Sequence, residues 1–237
     1  MNDNELRDEL VWCVQALLEE RQNHMQSGDI VQMLPQAENW NGMFLKHADA
    51  DLLWTAFRAL VNTRMPWEAS SEFLEHQDRL LQELIARDGI TSVDGTTPSP
   101  FNSHLRLWRG DITRIATDAI VNAANSQMLG CWRPGHHCID NAIQTFAGVQ
   151  LRIELSKIMM AQGHEEPTAQ AKVTGAYNLP SHSIIHTVGP IANGRPNRTH
   201  KKQLRQCYRS CLDAAAAQAL HSIAFCCIST GDRKSVV

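Results

Sequence analysis

Apolar residues recur at helical spacing through the first ninety residues of the chain. They form three amphipathic stretches, whose apolar faces comprise Leu10, Val14, Leu17 and Leu18, then Leu52, Leu53, Ala56, Phe57 and Leu60, then Phe73, Leu80, Leu81 and Leu84. Polar residues separate these positions, as in helices that pack against a core. Pro66 should end the second helix. Ser70 and Ser71 can cap the third, and Gly89 can close it. We therefore expect residues 1–90 to be all-helical.

The hydrophobic pattern changes after residue 90. Residues 91–100, with an Asp-Gly pair and two prolines, have the composition of turns and linkers. Beyond them, short apolar segments predict strands at 104–108, 119–121, 173–179, 183–188 and 223–228, and longer amphipathic segments predict helices at 139–160 and 202–220. This alternation predicts an α/β domain over residues 101–237 with a covered sheet. The expected organisation is a helical N-terminal extension, a linker and this domain.

Composition narrows the classes of function. The 237 residues include 43% hydrophobic and 20% charged positions, with a formal net charge of -3. This balance gives no general basic field, so we expect neither nucleic acid nor a membrane as a partner. The charged amino terminus and the lack of an apolar run near ~20 residues favour a cytoplasmic protein. Seven cysteines, an odd number, favour reduced thiols or metal ligation over structural disulfides.

The strongest chemical signal lies in residues 122–143, directly after a short predicted strand. Cys131, His136 and Cys138 have the spacing C-x4-H-x-C, and an intervening Pro-Gly pair can bend the loop so that they converge. Two thiolates and one imidazole suit zinc, and three protein ligands leave a fourth position for water or substrate. We expect one catalytic Zn²⁺ here. His137 is a rival ligand, and the alternative is two buried cysteines and two surface histidines.

Three further residues and one tripeptide are candidates for contact with a ligand at the ends of strands. Asn125 and Asp140 flank the cysteine-containing loop, although Asn125 could simply cap a turn and Asp140 could be a favourable charge at a helix N-terminus. Asp111 ends the first predicted strand of the domain and could accept a hydrogen bond from an exocyclic amine, or could be an ordinary turn aspartate. Ser229-Thr230-Gly231 follows the last apolar strand, and its backbone could cradle a phosphate.

Taken together, these segments resemble the macrodomain family, and specifically its zinc-dependent branch of protein ADP-ribose hydrolases. The matching motifs are WRGDIT (108–113), IVNAAN (120–125), MLGCWRPGHHCIDNAI (128–143), YNLP (177–180), IIHTVGP (184–190) and FCCISTG (225–231). The helical extension over residues 1–90, called the helical front below, resembles that branch through FRALVNTR (57–64) and SSEFLEHQDRLLQELI (70–85). The resemblance implies a three-layer α/β/α macrodomain with a mixed sheet, preceded by a helical extension.

The resemblance also implies roles for individual residues. Asp111, with Ile112 beside it, would bind the adenine. Asn125 and Asp140 would address the distal ribose as catalytic residues. Ser229, Thr230 and Gly231 would approach the diphosphate, and Cys131, His136 and Cys138 would hold the zinc. Zinc at the distal ribose can polarise oxygen or lower the pKa of bound water toward ~7. The implied reaction is hydrolysis of mono-ADP-ribose from an ADP-ribosylated protein, at a carboxylate ester, releasing ADP-ribose.

Some readings stay open at this point. A non-catalytic reader would use the same pocket only to recognise ADP-ribose, and an inactive remnant would keep the metal for structure alone. The helical front could be a lid over the substrate entrance, but apolar residues at helical spacing favour a packed layer that only stabilises the α/β part.

The sequence also departs from the family at two places. Gln144 replaces a frequent histidine of related macrodomains and receives no catalytic role. The family's strand beyond Gly231 has no counterpart here, so we expect a truncated or altered end, low stability and weak activity.

Overall fold

The computed structural model describes residues 1–230, and its first part is helical. Four α-helices precede residue 91, namely α1 (Asp3–Gln26), α2 (Gly42–His47), α3 (Ala50–Thr63) and α4 (Ser71–Arg87), with a 3-10 turn at Pro35–Asn39. Ser70 caps α4, since its hydroxyl accepts a hydrogen bond from the backbone N–H of Phe73 at 3.1 Å. Gly89 follows the end of α4 with φ of +85°. The three predicted helices are confirmed, and α2 is an additional short one.

Eight strands follow in chain order. They are β1 (Thr91–Ser92), β2 (Thr97–Pro98), β3 (Arg106–Leu107), β4 (Ile115–Ala116), β5 (Ala119–Ala124), β6 (Ala171–Gly175), β7 (Ser183–Val188) and β8 (Ile223–Ala224). The main sheet has the order β6-β7-β5-β8. Strand β6 is antiparallel to β7, whereas β7, β5 and β8 are parallel. The sheet is therefore mixed.

Two small strand pairs lie outside this sheet among the described residues. Strand β1 pairs in parallel with β4, and β2 pairs with β3 in antiparallel fashion. The segment 91–100 thus contains β1 and β2 as well as turns, and the predicted strand at 104–108 pairs only with β2. Leu107 on β3 and the nearby Leu105 and Phe101 are exposed.

Three helices complete the α/β part, namely α5 (Ile139–Ala147), α6 (Val149–Gln162) and α7 (Arg198–Ala217). The prediction of a single helix over residues 139–160 is wrong, because Gly148, with φ of +101°, separates α5 from α6. The apolar run at 223–228 was also too long as a strand, since only Ile223 and Ala224 pair with β5. Over most of residues 223–228, apolar character therefore indicates burial rather than strand pairing.

Helices cover both faces of the main sheet. On one face, α7 packs through Cys207, Cys211 and Ala215 against Val121 and Ile185. On the other face, helices α5 and α6 pack against β5 and β7, and the buried residues there include Ile143, Leu151, Leu155, Ile120 and Ile184. This arrangement is the predicted three-layer α/β/α fold with a mixed sheet.

The helical front packs on the outer side of α6. Its core is formed by residues of α1, α3 and α4, and Val149 and Ile153 of α6 belong to the same buried cluster. Helix α6 therefore lies between the sheet and the front, with apolar contacts to both. Nothing in this packing tests the predicted domain boundaries at 1–90, 91–100 and 101–237, which stay predictions.

Two further sequence expectations concern the chain as a whole. None of the seven cysteines is joined to another in a disulfide bond in this structure. Within the described part of the chain, no helix combines the length and apolar character that crossing a bilayer requires.

Candidate functional site

The candidate site lies at the carboxyl edge of the parallel strands. Ala124 at the end of β5 pairs with Val188 at the end of β7, so Asn125 and Gly189 leave the sheet side by side. The loop after β5 then leads to helix α5, whose N-cap is Cys138. The Cys138 sulfur accepts a hydrogen bond from the backbone N–H of Asn141 at 3.4 Å. Ligands commonly bind at this edge of α/β sheets.

Three candidate metal ligands converge in this loop. The ligand atoms of Cys131, His136 and Cys138 all lie within 4.8 Å of one another. The Cys131 sulfur is 3.5 Å from His136 Nδ1. Two ligands bound to one tetrahedral zinc at ~2.3 Å and ~2.0 Å lie about 3.5 Å apart, so this distance fits a shared ion. The group does not include His137, the rival ligand considered from the sequence.

The two thiols are electrostatically coupled. A hydrogen bond from the Cys138 thiol is the main cause that lowers the pKa of Cys131, and the same hydrogen bond raises the pKa of Cys138. The His136 imidazole also lowers the pKa of Cys131. The shared hydrogen bond therefore favours the thiolate form at Cys131 and the thiol form at Cys138.

A tight turn brings His136 back toward the two cysteines. The backbone N–H of His136 donates to the carbonyl of Arg133 at 3.2 Å. Pro134 and Gly135 occupy the two central positions, and Gly135 has φ of +62°. Proline followed by a residue with positive φ is typical of a type II turn, where glycine carries no steric penalty. The Pro-Gly pair thus bends the loop as the sequence indicated.

Asn125 and Asp140 meet on the sheet side of the loop. Asn125 Nδ2 donates to the carbonyl of Gly130 at 3.0 Å and lies 3.4 Å from Asp140 Oδ2. Asn125 Oδ1 also accepts from the backbone N–H of Gln127 at 3.0 Å, so it caps a turn as well. Asp140 is 5% exposed, and burial raises its pKa to about 6, with the hydrogen bond from Asn122 acting in the opposite direction. Asp140 is therefore more than a surface charge at a helix end.

A buried polar chain supports Asp140 from inside the sheet. Asn122 Nδ2 donates to Asp140 Oδ1 at 2.8 Å and to His186 Nδ1 at 3.1 Å. His186 Nε2 then lies 2.9 Å from the Thr174 hydroxyl. Burial lowers the pKa of His186 to about 3, so this imidazole is neutral. Sequence reasoning missed Asn122 and His186, and the available signal was two polar residues within otherwise apolar strands.

The residues matched to adenine binding lie on a different segment. Asp111 is exposed and caps a short 3-10 turn, with Oδ1 accepting from the backbone N–H and the hydroxyl of Thr113 at 3.0 Å and 2.7 Å. Ile112 is half-buried against the apolar core. Burial lowers the pKa of Arg58 on α3, and the charges of Cys138 and Asp111 act in the opposite direction. Arg58 therefore lies within electrostatic reach of Asp111 and of the loop 126–138, which we call the metal loop after its three candidate ligands.

The residues matched to diphosphate binding lie beside the end of β7. A Cβ atom on Gly189 would come within 2.2 Å of the Ser229 hydroxyl, so only glycine at 189 lets the two segments approach this closely. Ser229 has φ of +64°, and the Thr230 hydroxyl donates to the carbonyl of Cys227 at 3.0 Å. Both residues are exposed at the edge where Asn125 leaves the sheet. Gly231, the third predicted residue, lies outside the described residues.

Arg152 joins the metal loop to the helical front. Its Nε donates to the carbonyl of Leu129 at 2.7 Å. Its Nη1 faces three carbonyls at the C-terminus of α3, those of Val61, Asn62 and Arg64, at 3.0, 3.1 and 2.6 Å. The guanidinium carbon lies 4.2 Å from the centre of the Trp132 ring. Burial lowers the pKa of Arg152 to about 10, so it stays charged at neutral pH. An arginine within a predicted helix gave no sequence signal for this role.

Comparison with known proteins agrees with this fold. The Macro domain family model matches residues 121–235. A Treponema medium protein named protein-ADP-ribose hydrolase is 49% identical over 201 residues, which are 84% of this chain and 77% of that protein. A Staphylococcus aureus protein of the same name is 41% identical over 203 residues, covering 85% and 76% of the two chains.

A solved structure extends the comparison to three dimensions. The Trypanosoma brucei macrodomain in complex with ADP is similar with a TM-score of 0.53 and 31% identity, covering 73% of this chain and 75% of that chain. The chain therefore belongs to the macrodomain family. The predicted class of enzyme is confirmed through the two relatives named as hydrolases.

Proposed function

We propose that this protein is a zinc-dependent hydrolase that removes mono-ADP-ribose from protein side chains. One observation carries the proposal. The ligand atoms of Cys131, His136 and Cys138 converge within 4.8 Å in the loop between Asn125 and Asp140, at the ligand-binding edge of a macrodomain sheet. Hydrolases with 49% and 41% identity to this chain support the reaction class. Binding alone would not need a metal with an open coordination position.

Cys131, His136 and Cys138 would hold one zinc ion, since two sulfurs and an imidazole nitrogen are donors that zinc prefers. When bound, zinc would supply Lewis acidity toward an oxygen of the distal ribose, of the scissile ester or of water. Among the described residues, the converging group has three members, which leaves a fourth tetrahedral position for such an oxygen.

Asn125 and Asp140 would orient the distal ribose beside the metal loop. Asp140 can accept hydrogen bonds from ribose hydroxyls, and the Asn122 amide fixes one of its oxygens at 2.8 Å. Because Asn122 is itself held by the neutral His186, the Asp140 carboxylate has little freedom to rotate. A fixed acceptor lowers the barrier by holding the reacting sugar in one geometry.

The remaining contacts would fix the rest of the nucleotide. Asp111 and Ile112 would bind the adenine, and Ser229 and Thr230, with Gly231 after them, would approach the diphosphate. In the reaction, water adds across the bond between the ribose and the acceptor carboxylate. ADP-ribose and the free side-chain carboxylic acid are the products, so no other co-reactant is needed.

The first experiment measures metal content and turnover together. We expect one zinc per chain by elemental analysis, release of ADP-ribose from a mono-ADP-ribosylated protein, and loss of release after treatment with a zinc chelator. Cys138→Ala should lose both zinc and turnover. Cys13→Ala, which removes a thiol from the core of the helical front, is the matched control and should keep both. A protein without zinc, or an active Cys138→Ala variant, would contradict the mechanism.

The second experiment separates a hydrolase from a reader and tests the linkage. A reader would bind free ADP-ribose, measured by calorimetry, without releasing it from modified protein in the presence of zinc. Substrates modified through a carboxylate ester, a serine hydroxyl or an arginine guanidinium can be compared at equal concentration. We expect the ester-linked substrate to be hydrolysed fastest, and equal rates for all three would contradict the assignment of linkage.

A further inference from the structure

Helix α3 of the helical front reaches the metal loop through one buried side chain. Asn62 lies in the last turn of α3 and is 1% exposed. Its Oδ1 accepts a hydrogen bond from the backbone N–H of Gly135 at 3.0 Å and another from Asn141 Nδ2 at 2.8 Å. Its Nδ2 donates to the Thr145 hydroxyl at 3.0 Å. The Asn62 amide therefore forms three hydrogen bonds. One is with Gly135 in the metal loop, and another is with Asn141, three residues after Cys138.

Asn141 carries the same connection to the other side of the turn. Its Nδ2 also donates to the carbonyl of Arg133 at 3.1 Å, the carbonyl that closes the turn by accepting from His136. Its Oδ1 accepts from Arg58 Nη2 at 2.8 Å, and Arg58 is again on α3. The turn at 133–136 is thus tied to α3 at Gly135 directly and at Arg133 through Asn141.

These contacts differ from the packing that holds the front to the domain. Packing of α3 rests on apolar residues such as Leu53, Phe57 and Leu60, which are buried in the core of the front. Asn62 instead forms hydrogen bonds with the backbone N–H of Gly135, the Asn141 amide and the Thr145 hydroxyl. Its replacement by an apolar residue leaves the half-buried N–H of Gly135 without this acceptor, which favours a different conformation of the turn.

We propose that Asn62 is a positioning residue that holds the 133–136 turn so that Cys131, His136 and Cys138 are converged before a metal ion binds. The metal-binding part of this inference rests on the proposed zinc site. A loop that is already ordered binds a metal ion more tightly, because less conformational entropy is lost on binding. Residues that orient metal ligands from outside the coordination shell typically change metal affinity by about 10–100-fold when they are mutated. The helical front would then have a role in the site beyond packing.

The test compares Asn62→Leu with Thr145→Val in the full chain. Asn62→Leu removes both hydrogen bonds to the loop side at similar volume. Thr145→Val is the matched control. It removes the third hydrogen bond of Asn62, together with the hydrogen bond from the Thr145 hydroxyl to the Asn141 carbonyl, and leaves the other two hydrogen bonds of Asn62 in place. Asn62→Ser, whose shorter side chain cannot reach both donors, replaces the leucine variant if that variant does not fold.

Two readouts are needed. The first is hydrogen–deuterium exchange of the peptide spanning 129–138 in metal-free protein, which should be faster in the Asn62 variants than in Thr145→Val. The second is zinc affinity by competition with a chromophoric chelator. We expect it to fall by about 10–100-fold in the Asn62 variants and by less than about threefold in the control.

The outcomes separate this inference from the proposed function. Unchanged loop exchange in the Asn62 variants would overturn the inference, and so would faster exchange with unchanged zinc affinity. An equal loss of zinc affinity in Thr145→Val would also overturn it, since the effect would then be a general loss of local packing. A wild-type chain that binds no zinc would instead reject the proposed metal site itself.

Discussion

Asp140 is the residue whose chemistry depends most on its surroundings. It is buried, it accepts a hydrogen bond from Asn122 at 2.8 Å, and Asn125 lies 3.4 Å from its other oxygen. We expect Asp140→Asn to lower ADP-ribose release by at least about 100-fold, because an amide offers one acceptor oxygen and no charge to the ribose. Thermal stability should change little, since the variant removes a buried charge.

The control for this prediction is Asp213→Asn, which changes an exposed carboxylate on α7 in the same way. Release of ADP-ribose by this variant should equal that of the wild type. If Asp140→Asn keeps more than half of the wild-type rate at saturating substrate, Asp140 does not act on the reacting ribose.

His186 makes stability depend on pH. Burial lowers the pKa of His186 to about 3 in the folded chain, whereas an unfolded histidine titrates near ~6.5. Only the unfolded state therefore gains a proton between these values, so this contribution to stability is fully present above pH ~6.5 and is lost progressively as the pH falls. Lowering the pH from 7 to 5 should cost about 2 kcal/mol through this residue.

Urea unfolding at pH 7 and pH 5 measures this effect. His186→Gln keeps a side chain that can hydrogen-bond but cannot titrate, so its free energy of unfolding should fall by about 2 kcal/mol less over the same interval. The same pH dependence in the variant and in the wild type would show that His186 is not the responsible group.

At the level of single residues, the sequence predicted those parts of the site whose residues lie close together along the chain. Cys131, His136 and Cys138 lie within eight positions of one another, and the Pro-Gly pair between them predicts the turn that brings them together. Asn62 and His186 contact the site from positions more than 40 residues away from the loop. Their contacts exist only because α3 and β7 pack beside it. A polar residue within an apolar strand marked His186 as unusual, but no local pattern shows what it contacts, and none singles out Asn62.

At the level of elements, the break between α5 and α6 is the feature with the sharpest consequence. Gly148 has φ of +101°, and a Cβ atom there would come within 2.6 Å of Gln77 Nε2. Gln77 Oε1 in turn accepts from the backbone N–H of Val149 at 2.9 Å and so caps α6 from the helical front. We expect Gly148→Ala to destabilise the fold by about 1–3 kcal/mol, through backbone strain and displacement of Gln77.

Urea unfolding again gives the measurement for this prediction. Gly163→Ala is the comparison variant, because Gly163 has a positive φ in the milder left-handed helical region and nothing lies within 4 Å of its Cβ position. Gly148→Ala should be the more destabilising of the two substitutions. Equal losses would contradict the prediction that the backbone at Gly148 and its contact with Gln77 add to the cost.

The elements were predictable where one face is buried and the pattern is regular. Helices α1, α3 and α4 and strand β7 follow their apolar periodicity. The break at Gly148 was not predictable, because apolar residues continue at helical spacing on both sides of it. The shortness of β8 was not predictable either, since Phe225 and Ile228 are apolar for reasons of packing rather than strand pairing.

At the level of the whole molecule, helix α6 connects two cores. Val149 and Ile153 face the helical front, while Leu151 and Leu155 face the sheet side. A fragment of residues 91–237 would expose the first pair and leave the capping of α6 by Gln77 unmade. We expect this fragment to lack a cooperative melting transition and to aggregate, because an exposed apolar patch and unpaired backbone groups are both unfavourable.

Differential scanning calorimetry and size-exclusion chromatography of the fragment beside the full chain provide the measurement. A monomeric fragment with a cooperative transition would show that residues 91–237 fold independently of the front. That result would also support the boundary between a helical extension and an α/β domain that the sequence predicted.

The hydrogen bonds of Arg152 depend on amino-acid type at the donor but not at the acceptors. Every acceptor that faces this side chain is a backbone carbonyl, which all twenty residue types supply, whereas the donor must be a planar guanidinium with several fixed N–H groups. Lysine in its place would offer one ammonium and could not span the same carbonyls. Sequence drift at Val61, Arg64 and Leu129 therefore leaves this connection possible, while a single codon change at position 152 removes it.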